Sequence, residues 1–141
     1  MREVVPFRRW HMAWLHAEGE AVGGMLVDPG TLQVLEKLNS WTAVVDDAPV
    51  ACGGTMLQWP GRHIAWAYLN QKTAPHMLWL TREAKKKLQR VDGRIEMTVR
   101  HDFEQGHRWA SILGFKIETP VLQAYGPLGE NHVGYVRLNG G

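Results

Sequence analysis

The residues able to do chemistry in this 141-residue chain are few and scattered. Its single cysteine, Cys52, has two readings: a nucleophile, or a buried structural thiol, which is the commoner fate of such a residue in a strand. His11 and His16 stand five apart around Trp14, whereas two ligands on one helical face need a spacing of three or four. His101 and His107 lie far away in sequence, so no metal site is read. Lys85, Lys86 and Lys87, with Arg82 and Arg90, form the densest positive cluster. A cluster of this kind suits an acidic partner surface or DNA; the same pattern is also ordinary on a solvated helix exterior. Seven tryptophans (Trp10, Trp14, Trp41, Trp59, Trp66, Trp79 and Trp109) are many for this length. Most are expected in or near the core, with at least one left exposed as an interface anchor.

Composition bounds what these residues can belong to. Hydrophobic residues make up 45% of the chain and charged residues 21%, the balance of a folded soluble protein and not of a disordered one. The expectation is one domain over residues 1–141. A formal charge of +2 is too small for the dense basic stripe of a duplex binder, so nucleic acid is not an expected partner. The first twenty residues hold no apolar run long enough for a signal peptide or membrane span, so no membrane partner is expected. One cysteine permits no internal disulfide and fits a reducing compartment.

The positioning elements follow from periodicity. A short strand over residues 2–7 precedes a helix over 8–18, with Trp10, Ala13, Trp14 and Ala17 at helical spacing. Gly19 and the Gly23-Gly24 pair read as breaks, and residues 28–31 as a turn into a second helix carrying Leu32, Leu35 and Leu38. Strands are expected over 41–45, 49–59 and 63–70, the first two joined by an Asp46-Asp47 turn. Gly53-Gly54 inside the second marks a bulge or close backbone approach. Trp66 and Tyr68 share one face of the third. Met77, Leu80, Ala84, Leu88 and Val91 then line one side of a helix ended by Asp92-Gly93. A strand over 94–99 completes a strand–helix–strand crossover, which makes the strands on either side parallel neighbours. A last helix over 104–113 stops at Gly114, and a hairpin of residues 115–125 and 132–138 closes the chain. The fold class read from this order is α/β: a mixed, mostly antiparallel sheet with helices on both faces.

That order, with Ile112-Leu113-Gly114-Phe115-Lys116 closing the last helix, resembles the GNAT acetyltransferase fold over nearly the whole chain. The resemblance implies a site. Active members grip the acetyl-CoA pyrophosphate with a glycine-rich loop after the fourth strand, where backbone N–H groups at a helix start meet the anion. The corresponding segment here, Asn70-Gln71-Lys72-Thr73-Ala74-Pro75-His76-Met77-Leu78, has no glycine, and Pro75 removes a donor. If acyl-CoA binds, Asn70, Gln71, Lys72 and Thr73 are the contacts that the resemblance implies, with the pantetheine held between the strands of Trp66 and Met97. Where many members place a proton-donating Tyr, this chain has Ala110, and its neighbour Trp109 offers no acidic proton. His63 or Tyr68 then stand as substitute base and acid. A closer resemblance links Trp66, the basic helix over residues 81–88, His107-Arg108-Trp109 and the Gly140-Gly141 ending to a small phage family related to a T7-type podophage internal virion or assembly protein. It implies a non-catalytic role in the host cytoplasm or the virion, with no cofactor. The implied partners are particle proteins of the portal, tail or internal core, or another copy of the chain. Arg82, Lys85, Lys86, Lys87 and Trp79 are the residues expected to meet them. The alternative is an acyl-CoA N-acyltransferase with a divergent pyrophosphate loop.

Overall fold

A computed structural model describes residues 1–18, 21–23 and 29–140. In chain order the elements are β1 (Arg2–Pro6), α1 (Arg9–Glu18), β2 (Ala21–Gly23), α2 (Pro29–Glu36), β3 (Asn39–Val45), β4 (Ala48–Trp59), β5 (Arg62–Asn70), a 3-10 helix (Gln71–His76), α3 (Met77–Gln89), β6 (Gly93–Arg100), α4 (Glu104–Ile112), β7 (Lys116–Leu122) and β8 (His132–Asn139). Seven strands lie in the order β1-β3-β4-β5-β6-β8-β7, with β2 pairing β5 off this path. β5 and β6 pair in parallel, as the crossover through α3 requires, and the pairs β1–β3, β3–β4, β6–β8 and β7–β8 are antiparallel. The sheet is therefore mixed and mostly antiparallel.

The described residues fall into two compact units, one of Met1–Leu57 with Ala65–Arg82, the other of Gln58–Ile64 with the chain from Glu83 on. The core of the first gathers Phe7, Met12, Leu15, Leu35, Cys52, Trp66 and Tyr68. Trp66 and Tyr68 project to one side of β5, as the alternation predicts, and Phe7 meets the Trp66 ring edge-on at 5.4 Å. In the second unit Ala84, Leu88, Val91, Ile95, Val99, Ala110, Leu113, Phe115 and Tyr135 are buried.

Two sequence signals resolve into specific backbone devices. Asp46 and Asp47 both adopt positive φ, the geometry of the two-residue hairpin turn that short acidic and amide side chains tolerate. At Gly54 a Cβ would stand 2.4 Å from the Asn39 carbonyl oxygen, so the glycine pair marks the close backbone approach of β3 to β4. The helix stop at Gly114 is a Schellman cap. Gly114 sits at φ 92°, its N–H bonds the Ser111 carbonyl at 3.0 Å, and the Phe115 N–H bonds that of Ala110 at 3.0 Å. Arg137 donates to the Leu113 carbonyl at 2.6 Å and completes the end.

Differences from expectation have physical causes. Pro29 opens α2 instead of lying in a turn, since its fixed φ suits a first helical position; Gly19, Gly24 and Asp28 lie outside the described residues. The expected strand over 115–125 shortens to β7, whose register with β8 shifts around Thr119 and Pro120, where proline cannot donate to the ladder. Leu38 falls beyond the end of α2 and is exposed.

Candidate functional site

The segment after β5 is the first candidate. Asn70 ends the strand in extended conformation and caps the 3-10 helix: its side-chain oxygen accepts the N–H of Lys72 at 2.9 Å and, in a reciprocal capping box, the N–H of Thr73. The Thr73 hydroxyl accepts the Asn70 N–H at 3.0 Å and donates to the Val50 carbonyl at 2.6 Å. The Asn70 amide nitrogen donates to the Leu15 carbonyl at 2.9 Å. Asn70 and Thr73 are both buried, and Pro75 has no N–H. The amides of residues 70, 72 and 73 are thus turned onto the protein's own oxygens. An anion-gripping helix start works by leaving such amides open to the ligand. Here the Asn70 carboxamide oxygen already accepts from the amides of Lys72 and Thr73. Of the four residues expected as acyl-CoA contacts, Asn70 and Thr73 spend their polar groups internally, and Gln71 and Lys72 are exposed.

The second candidate is the β5 pair of substitute acid and base. Tyr68 is buried, and its hydroxyl lies 3.0 Å from Nδ1 of His16, an exposed residue of α1. Burial raises the phenol above its ordinary value, with a further push from Cys52, so Tyr68 stays protonated at neutral pH and is no base. His63 lies five residues away on the same strand, and strand alternation sends its side chain to the opposite face. The two are not brought together. His16, which the residue types alone did not single out as a partner of Tyr68, is the group that meets it.

In the second unit Ala110 is fully buried within α4 and supplies no proton. Close to it in sequence, His107 is locked: Nε2 lies 3.0 Å from the His101 carbonyl and must donate, so Nδ1 accepts the Tyr135 hydroxyl proton at 2.7 Å. Burial raises the Tyr135 phenol, which holds that proton in place. The pair is satisfied and structural. Arg62 grips Glu96 through two bonds of 2.6 and 2.9 Å, and Arg94 bridges Glu96 and Glu118; the guanidinium groups hold both carboxyls below their ordinary values.

Cys52 is buried, and desolvation pushes its thiol up to about 12, so it is no thiolate nucleophile. It lies 3.5 Å from the Thr42 hydroxyl. That hydroxyl is 2.7 Å from Nδ1 of His11, which also accepts the Arg8 N–H at 3.0 Å; an Nδ1 that accepts one donor carries no proton, so Thr42 donates to it as well. Burial, then Arg8, lowers the His11 pKa. This chain of polar groups is internal to the first unit. Among the described residues no three His, Cys, Asp or Glu side chains gather to hold a metal, and no helix is long and apolar enough to cross a membrane.

The expected partner residues separate. Trp79 is half-buried, with the Arg2 guanidinium 5.7 Å above its ring, whereas Lys85 and Lys86 are exposed on α3. Exposed tryptophans are found at Trp10, Trp14 and Trp59, the last with Arg62 stacked 4.5 Å over it.

No described protein family and no curated protein matches this sequence. Solved structures do match its fold. A structure from Thermoplasma volcanium aligns over 99% of each chain at 11% identity and a TM-score of 0.78. An acetyltransferase of the GNAT family from Streptococcus pneumoniae aligns over 99% of this chain and 100% of its own at 15% identity and TM-score 0.75. The ribosomal-protein-S18-alanine N-acetyltransferase of Escherichia coli covers 97% of this chain and 93% of its own at 15% identity and TM-score 0.69. The fold is therefore that of the GNAT acetyltransferases. At these identities the likeness speaks for fold alone.

Proposed function

We propose that this chain uses the GNAT fold as a binding scaffold and engages a protein partner, without gripping an acyl-CoA pyrophosphate through the turn after β5. One observation carries the reading: the Asn70 carboxamide occupies the Lys72 and Thr73 amides that such a pyrophosphate would need. To admit the anion, the turn must release those bonds and those that tie Asn70 and Thr73 to Leu15 and Val50, each a buried group costing about 1–3 kcal/mol when left unpaired. In this reading the turn offers the pyrophosphate no open amide at Asn70, Lys72 or Thr73. The partner class in this reading is a protein of a phage particle or its ejection apparatus, supported by the resemblance carried by the basic helix and His107-Arg108-Trp109.

A second reading, an acyl-CoA N-acyltransferase with a divergent loop, is favoured by the whole-length likeness to acetyltransferase structures. In it acyl-CoA is the cofactor, and the exposed Gln71 and Lys72 side chains are what remains at the turn to meet a phosphate. Thermal unfolding with about 1 mM acetyl-CoA separates the two. A ligand at a hundred times its Kd stabilises by about 2.7 kcal/mol, a rise of several degrees in Tm for a chain of this length. The scaffold reading expects no rise beyond about one degree; a rise of about five degrees or more overturns it in favour of the enzyme.

A further inference from the structure

The stretch of residues 82–90, on and just past α3, carries a local excess of positive charge. Of the sixteen Lys and Arg in the chain, five lie within residues 82–90 beside a single acid, Glu83, a net of +4. The other eleven are outnumbered by thirteen Asp and Glu, a net of −2. All of the protein's positive excess is thus concentrated on this short stretch. Ala84, Leu88 and Val91 turn inward and are buried, which leaves Lys85, Lys86, Gln89 and Arg90 exposed in the second unit, while Arg82, also exposed, belongs to the first. Lys86 leans on Glu83 at 3.5 Å, a long and exposed contact that neutralises little. The second unit thus presents three exposed cations within six residues of sequence, Lys85 and Lys86 on α3 and Arg90 just past its end.

We propose that Lys85 and Lys86 on α3, with Arg90 just past its end, form the docking surface for the protein partner, and that the partner presents a cluster of carboxylates to it. Magnitudes choose this occupant over a nucleic acid. Non-specific duplex binding draws its affinity from neutralised phosphates, and each contact contributes about −0.9 to the slope of log K against log salt. Three cations give a slope near −3, against the 6–10 contacts of proteins that hold duplex at physiological salt. The net negative remainder of the chain opposes a duplex further. Residues 82–90 also contain no aromatic side chain on which single-stranded bases stack. A protein surface asks less: a complementary acidic patch that steers encounter and fixes register, while other contacts supply the affinity.

This surface rests on the scaffold reading for its partner class, and its test is independent of the acetyl-CoA result. The full chain is titrated into a fluorescein-labelled twenty-residue polyglutamate peptide and, separately, a labelled twenty-base-pair duplex, with anisotropy read at about 50 and 150 mM salt. The variant is Lys85→Glu/Lys86→Glu/Arg90→Glu, with Lys85→Gln/Lys86→Gln as a milder companion in case charge reversal unfolds the chain. All three positions are exposed, so Tm is expected to hold within a few degrees. The wild type should bind the peptide, lose affinity as salt rises, and bind the duplex more weakly. Charge reversal should weaken peptide binding at least about tenfold, and the Gln pair a few-fold. Equal peptide affinity in wild type and variants, tighter binding of the duplex than of the peptide, or binding of neither probe overturns the proposal. A positive acetyl-CoA shift with lost peptide binding in the variant would remove the scaffold reading and leave the surface standing.

Discussion

Replacing Asn70 by Ala is the sharpest perturbation of the turn after β5. It removes the acceptor for the Lys72 and Thr73 amides and the donor to the Leu15 carbonyl. Loss of an amide cap costs about 0.5–2 kcal/mol. The orphaned Leu15 carbonyl, buried with its partner gone, adds about 1–3 kcal/mol. The expected destabilisation is about 2–4 kcal/mol, since the two losses share one side chain and do not add in full. In urea, with a slope of about 1–3 kcal/mol per molar, the midpoint should fall by roughly 1–2 M, read by circular dichroism. Thr73→Val, nearly isosteric, unpairs the Asn70 N–H and the Val50 carbonyl and should cost a similar amount. The double variant should cost less than the sum of the two, because each substitution breaks the same capping box. A loss below about 0.5 kcal/mol for Asn70→Ala, or strict additivity with Thr73→Val, would refute the claim that these side chains lock the turn.

Three more outcomes follow from the buried groups. His11 has a folded pKa below its unfolded one because of burial and Arg8, so the unfolded chain takes up the proton first; stability should be full above about pH 6.5 and fall as pH drops below it, and His11→Gln should flatten that slope in thermal melts between about pH 8 and 5. The carboxyls held low by arginine, Glu96 and Glu118, act only below about pH 4.5, which keeps the two windows apart. Cys52, with its thiol near 12, should resist iodoacetamide at pH 8 in the folded chain and react readily in denaturant; labelling at comparable rates in both would show an accessible thiolate. Trp66 buries an indole N–H that has no partner among the described residues, so Trp66→Phe should cost under about 1 kcal/mol, relief of the unpaired donor offsetting lost packing; a loss of about 3 kcal/mol or more by urea denaturation would mean that the N–H is bonded.

Much of the architecture is legible in local pattern. The 2-residue period of Trp66 and Tyr68, the helical stripe of Leu80, Ala84 and Leu88, and the Asp46-Asp47 turn are each decided by neighbours in sequence, and the parallel pairing of β5 with β6 follows from crossover length. The resemblance to the GNAT fold rests on the same element order, and the structural alignment agrees with it over 99% of the chain. The site was far less legible. Asn70 reads equally as a ligand contact or as a cap, because a polar residue before a helix serves both, and only the positions of Leu15 and Val50 decide between them. His107 and Tyr135 lie 28 residues apart and His16 and Tyr68 lie 52 apart, so no periodicity links them; the sheet does. The exposed Trp10 and Trp14 stand on the helix that the pattern identified, yet their apolar character predicted burial, and the stripe that faces the core is Met12 and Leu15 instead.

The central claim is that the Lys72 and Thr73 amides are already bonded in the free protein. Amide hydrogen exchange followed residue by residue tests this directly, with and without acetyl-CoA. The account predicts slow exchange at Lys72 and Thr73 in the free chain, fast exchange there in Asn70→Ala, and no change on adding acetyl-CoA. Fast exchange at both amides in the free wild type, slowed when acetyl-CoA is added, would contradict it.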